Sequence, residues 1–250
     1  MKIPSIALVL LGSLACLADE IPGRAPVEPK SLPAPDQPVA PAQPSVTKLE
    51  DGRMKVGEVT FDPETRAVEF PARINMTEGL LEFLVVHQNG KVHESLFVTD
   101  ISATDLNIAL KLLRYKASRE LYLKLNKDGS LSSVFEEASD EEKRESRLSI
   151  FVREGEGEDA KETNVCDWIH HAVTEKPMPR EPWVYGGSFF YEGKFVAETS
   201  GDIIAIFLSN AALGNYAGKD NQDDNVWLVR PRVVPAEGTS VKLVIRPYQP

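Results

Sequence analysis

Apolar and polar residues alternate with a period of two along much of the chain after residue 50, the signature of strands that bury one face. Strands are predicted on this basis at Val56 to Phe61, Ala67 to Ile74, Leu81 to His87, Val92 to Val98 and Leu121 to Leu125. The pattern returns at Leu148 to Val152, Trp183 to Tyr191, Lys194 to Ala197, Ile203 to Leu208 and Val241 to Ile245. In the last run Val241, Leu243 and Ile245 point one way while Lys242 and Arg246 point the other. One stretch instead has helical spacing: Leu106, Ala109, Leu110 and Leu113 form a stripe, with Ser102 as cap and Asp105 in capping-box position. A second, shorter helix is predicted from about Asn164 to Val173, burying Trp168 and Ile169 before Pro177 stops it. Many strands with few, unevenly placed helices predict an α+β fold, mainly an antiparallel β-sheet or sandwich with one long and one short helix. The chain shows no internal repeat.

The first residues change the picture from a domain to an exported domain. Lys2, an apolar run from Ile6 to Leu11, and small residues ending at Ala15, Cys16 and Ala18 read as a signal peptide over residues 1–18. The run is shorter than the roughly 20 residues a membrane helix needs. Removal after Ala18 leaves a soluble protein, whereas processing before Cys16 leaves a lipidated cysteine. Ser13 stands where a lipobox wants an aliphatic residue, which favours the soluble product. Residues 19–46 follow as a linker, with eight prolines between Ile21 and Val46. That density favours an extended polyproline spacer over a packed core. The remainder, 47–250, suits one domain. A periplasmic or extracellular location is expected, with Cys16 as the alternative lipid anchor.

Charge and cysteine usage narrow the partners. Loss of Lys2 takes the formal charge from −10 to −11, which argues against nucleic acid, and leaves a lipid anchor as the expected route to a membrane. After export Cys166 stands alone, or with a lipidated Cys16, so no internal disulfide or all-cysteine metal cluster can form. The acidic loop with Asp220, Asp223, Asp224 and Asn225 lacks EF-hand spacing, and His170-His171 would point about 100° apart on a helix. No metal and no cofactor are expected.

The densest chemistry lies between Leu81 and Val98. Asn89-Gly90 between two apolar runs predicts a type I′ hairpin. A two-residue loop would pair Val86 with His93, Val85 with Glu94 and Leu84 with Ser95, placing His93 and Ser95 on one face and His87 with Glu94 on the other. The candidate pocket is His93, Glu94, Ser95, Lys91 and Ser188, with His93 as base or ligand. Its competing reading is a set of hydrogen-bonded strand residues that hold register. Neither Ser95 nor Ser188 sits in a G-x-S-x-G elbow, so nucleophilic serine chemistry is not expected.

Several blocks together resemble the YdjY-domain family from about Val56 to Pro247. They include Val68, Phe70 and Pro71, then Gly79, Leu81 and Glu82, then Lys91, His93, Glu94, Ser95 and Leu96. Later come Trp168, Lys176-Pro177-Met178, Trp183-Val184, Gly187-Ser188, Gly201-Asp202-Ile203-Ile204 and Leu243 to Pro247. Ala205 to Leu208 depart from the cysteine and Ser-Asn-Phe run that relatives often carry there. The resemblance implies a secreted bacterial protein and supplies no catalytic assignment. The expected function is an exported, noncatalytic binding or envelope-associated domain whose partner is an unknown envelope protein or small ligand. The alternative is a cell-envelope enzyme or metal-dependent module using His93 and Glu94.

Overall fold

Eight strands close into a barrel in the computed structural model, which describes residues 45–128 and 130–249. In chain order they are β1 (Val68–Ile74), β2 (Phe83–His87), β3 (Ser95–Thr99), β4 (Arg147–Glu154), β5 (Trp183–Tyr185), β6 (Asp202–Ala205), β7 (Gly214–Tyr216) and β8 (Ser240–Pro247). Their order around the barrel is β1-β8-β4-β5-β7-β6-β2-β3, and β3 returns to β1 through Arg73 opposite Val98 and Ile74 opposite Phe97. The α+β, strand-dominated class is as expected, but the sheet curls onto itself and is not a sandwich. Closure leaves these eight strands without a free edge. The proposed leader, most of the proline-rich segment and Cys16 lie outside the described residues.

Alternation explains the barrel wall. Leu148, Ile150 and Val152 of β4, and Val241, Leu243 and Ile245 of β8, join one core with Phe70, Phe97 and Trp183. The outward residues of the same strands are Arg147, Ser149, Phe151 and Arg153, and Lys242 and Arg246. A hairpin of Met54–Val56 and Val59–Phe61 extends the sheet from β1, and α1 (Ala103–Leu112) packs against it. Ser102 caps α1 by accepting from the N–H groups of Thr104 and Asp105. Asp105 does not close the capping box; Glu198, from α3 (Val196–Ser200), supplies the carboxylate that accepts from Thr104 N at 2.8 Å. α2 (Asp140–Glu145) carries a complete capping box of Ser139 and Glu142.

Several predicted elements take other forms: Trp183 to Tyr191 breaks into Trp183–Tyr185 and Phe190–Tyr191, and Lys194 to Ala197 is a strand only at Lys194–Phe195, where α3 follows. Residues predicted as the short helix make a single 3-10 turn, Val165–Trp168, and then a strand, Ile169–His171, paired with Trp227–Val229. Trp168 and Ile169 are buried as expected. The helical reading fails because the backbone of 169–171 finds a distant strand partner that local spacing does not reveal. The Asn89-Gly90 hairpin is also absent: β2 and β3 run parallel, with Phe83 opposite Ser95 and Val85 opposite Phe97. Neither Asn89 nor Gly90 has the positive φ a type I′ turn requires. Instead the chain returns through a 3-10 turn, Val92–Glu94, and Gly90 lies against the backbone of Gly201. The predicted division of His93, Ser95, His87 and Glu94 between two hairpin faces does not hold.

The segment 88–94 also explains why β2 is apolar on both faces. Leu84 and Val85 enter the main core, while Phe83 and Val86 pack outward with Ala205, Ala212 and Val92. A strand covered on both sides reads as a continuous apolar run.

Candidate functional site

The parallel return places the predicted pocket residues in different surroundings. His93 leaves the sheet altogether: its side chain is 75% exposed, and Nε2 lies 3.1 Å from Oε1 of Glu94. Ser95 is 0% exposed, and its hydroxyl donates to the carbonyl of Phe97 at 2.7 Å. Ser188 is also buried, donating to Ala211 O at 2.6 Å and accepting from Ala197 N at 3.2 Å. Its own N–H donates to the Tyr122 hydroxyl at 3.1 Å, so Ser188 braces three segments. No hydrogen bond joins Ser188 to His93, Glu94 or Ser95 among the described residues. Lys91 stretches its ammonium over the Phe83 ring, 4.9 Å from the centroid. The structure thus brings together His93 and Glu94, and commits both serines to main-chain partners.

The structure adds acids that the sequence reading did not select. The Glu82 carboxyl meets that of Glu94, and its pKa is raised by burial and then by the charge and hydrogen bond of Glu94, against an opposing effect of Lys91. Asp202 is 3% exposed; Oδ2 accepts from Ser209 Oγ at 3.1 Å, while Oδ1 is buried with no partner. Burial raises its pKa, and Lys91 and Ser209 offset part of that effect. A charged residue within an apolar run, as in Leu81-Glu82-Phe83 or Gly201-Asp202-Ile203, is the signal that marks both. Glu82→Gln is expected to stabilise the protein at neutral pH. The unfolded carboxyl ionises near about 4.3, so above that pH the raised folded value costs stability, and below it both states are protonated and the cost vanishes. Partial exposure holds the gain below about 1 kcal/mol. Urea midpoints measured in acid and at neutral pH test this, and a variant no more stable than wild type at neutral pH contradicts it.

A second site lies on the outer face of β4 and β8. Arg153 stands opposite Lys242, Phe151 opposite Val244 and Ser149 opposite Arg246, and Tyr248 N donates to Arg147 O at 3.0 Å. Arg153 and Arg246 both grip Glu162, at 3.0 and 2.9 Å, and Arg153 and Lys242 both reach Glu69. Burial works to raise the Glu162 pKa, but the hydrogen bonds from Arg246 and Arg153 outweigh it and hold the carboxyl below its usual range. The Arg246 guanidinium lies 5.1 Å from the Phe151 ring centroid. A hollow of about 550 Å³ opens between Phe151, Arg180, Arg246 and Tyr248. A second, of about 510 Å³, lies beyond Arg153 and Lys242, and a third, of about 380 Å³, shares Tyr248 and is lined by Arg147 and Arg144. From Arg147 to Arg153 the strand spans about 20 Å at its ordinary rise, so the hollows form one row along the strand pair.

Elsewhere the chemistry is spent on packing. Cys166 is a buried free thiol whose pKa burial pushes up to about 12. His171 stacks edge-on against Trp227 and approaches Asp220 at 3.6 Å. No group of three His, Cys, Asp or Glu is placed to hold a metal ion among the described residues.

The family model described as the YdjY domain matches residues 59–246. No curated protein and no solved structure matches the chain.

Proposed function

The chain belongs to the YdjY-domain family, and from that membership we propose that it is an exported, noncatalytic binding domain of the cell envelope whose ligand occupies the row of hollows along β4 and β8. The observation that carries this reading is the outer face itself. Arginines and carboxylates held by mutual bonds, with Phe151 and Tyr248 between them, form a preorganised polar surface with rings to pack against. Such a surface binds with little side-chain ordering cost. The leader and proline-rich segment support export, and Cys16 supplies the lipid anchor if processing occurs before it.

In the test, the full chain is expected to sediment with isolated envelope material, and Phe151→Ala with Tyr248→Ala to reduce the bound fraction by about tenfold while melting as wild type does. Equal retention of the double variant excludes this face as the binding surface. A second reading, an envelope enzyme using His93 and Glu94, draws on the Glu82–Glu94 contact beside His93. Substrate turnover that disappears in His93→Ala decides for it.

A further inference from the structure

We infer that the β4/β8 groove takes an uncharged, hydroxyl-rich glycan strand, an inference that rests on the binding role just proposed for that face. Charge is the first argument. Arg153, Arg246, Arg180, Arg147 and Lys242 each have a carboxylate within ion-pair distance, in Glu69 and Glu162, Glu162, Asp167, Glu120, and Glu69. An anionic ligand meets guanidinium groups already engaged, beside carboxylates that repel it; a cationic ligand meets the reverse. Neither gains the net attraction that an unpaired cluster offers.

The pairing leaves a surface of fixed donors next to fixed acceptors. Each guanidinium has five N–H groups, and each carboxylate about four lone-pair sites, so both keep capacity after binding each other. Glu162, for example, is held from two sides by Arg153 and Arg246. A sugar hydroxyl donates and accepts at once, and neighbouring hydroxyls on one ring can bridge such a pair with charge-assisted bonds. Phe151 and Tyr248 complete the fit, because a pyranose ring has an apolar C–H face that packs on an aromatic ring. The two lie on the same face about four strand residues apart, or about 14 Å, so the aromatic contacts call for a chain of sugars.

Topology argues against the other extended ligand. A peptide commonly binds such a surface by adding a strand to an open edge. Here β4 is paired with β8 on one side and with β5 and Lys161–Asn164 on the other, and β8 with both β1 and β4. The floor of the groove therefore offers no edge, and the open edge of Lys161–Asn164 lies on the far side of that strand. The backbone groups of β4 and β8 are engaged in the ladders, which leaves recognition to side chains.

Calorimetry on the full chain uses cellohexaose, chitohexaose and maltohexaose, with hexagalacturonate and hexaglutamate as charged probes. At least one neutral hexasaccharide is expected to bind, with an affinity insensitive to added sodium chloride and weakened about tenfold or more in both Phe151→Ala and Tyr248→Ala; matched melting curves show that each variant folds. If only hexagalacturonate or hexaglutamate binds, and the same variants weaken it, the binding face stands and the uncharged-glycan assignment is overturned. Neutral hexasaccharide binding that both variants leave intact overturns the groove as its seat and the proposed face with it. Failure of every neutral hexasaccharide to bind overturns the assignment, while the envelope sedimentation result continues to judge the face.

Discussion

Gly201→Ala is expected to lower stability by about 2–4 kcal/mol, while Gly193→Ala costs about 1 kcal/mol. Both glycines have positive φ, +77° and +75°, so both substitutions bear the left-handed backbone penalty. Only the surroundings differ. A β-carbon on Gly201 would lie 2.9 Å from Gly90 Cα and 3.0 Å from Gly90 N, whereas one on Gly193 has nothing within 4 Å. The atoms in the way are main chain, so relief requires the 88–94 segment to move. Such movement strains the bond from His87 N to Gly201 O, 2.8 Å long, which ties the end of β2 to the turn before β6. Losing a buried backbone bond adds about 1–3 kcal/mol. Urea midpoints at constant m-value measure both variants. Equal losses at the two positions mean that the Gly90–Gly201 contact is not what holds the parallel return in place.

Trp183→Ala is expected to cost about 3–5 kcal/mol and to open Cys166 to alkylation. Trp183 is 1% exposed, pairs with Leu148 and Tyr216 across the barrel wall, and sits 5.2 Å from the Tyr216 ring centroid. Tyr216 in turn meets Trp227 at 6.0 Å, so removing the first ring loosens a row of aromatic contacts. Trp183 and Cys166 belong to the same buried core, and the indole counters part of the burial effect on the thiol. In the wild type the thiol is buried and its pKa is pushed up to about 12, so it is expected to resist iodoacetamide at mildly alkaline pH. Peptide mapping by mass spectrometry after timed alkylation reads Cys166 directly. A loss of less than about 1 kcal/mol with no change in labelling contradicts the packing role assigned to Trp183.

These two residues divide what was legible in the chain from what was not. Trp183 lies in an alternating run that announces a strand, and its burial follows from being the largest apolar residue in it. Gly201 and Gly90 carry no local sign that they will touch. The Asn89-Gly90 dipeptide is a strong hairpin signal taken alone, yet the chain there obeys a different constraint. β2 already bonds β6 on one side through Val85 opposite Ile204, and its other side accepts β3 in parallel because β3 must also reach β1. Satisfying both neighbours of β3 outweighs a turn preference.

The candidate site divides in the same way. His93, Glu94, Ser95, Lys91 and Ser188 were marked by residue type, and type says what a side chain is able to do. Whether it does so depends on what lies within bonding distance. Ser95 and Ser188 meet carbonyl oxygens, His93 meets Glu94 and solvent, and Glu82 becomes an unusual acid because Glu94 is placed beside it. The outer-face groove was half visible: Lys242 and Arg246 point away from Val241, Leu243 and Ile245 by alternation alone. That Glu162 and Glu69 would neutralise them came only from strands brought together over many residues.

By itself the sequence determined which residues of most strands face inward, where α1 begins, and that the described chain would be rich in strands, because a period of two or 3.6 and a capping serine act within a few residues. The tertiary structure alone decided the closure into a barrel, the parallel return of β3, the meeting of Gly90 with Gly201, and the pairing of Arg153, Arg246, Arg180, Arg147 and Lys242 with carboxylates. Periodicity specifies a face without specifying the neighbour, and the neighbour is chosen by burying apolar surface and completing backbone hydrogen bonds across the whole chain.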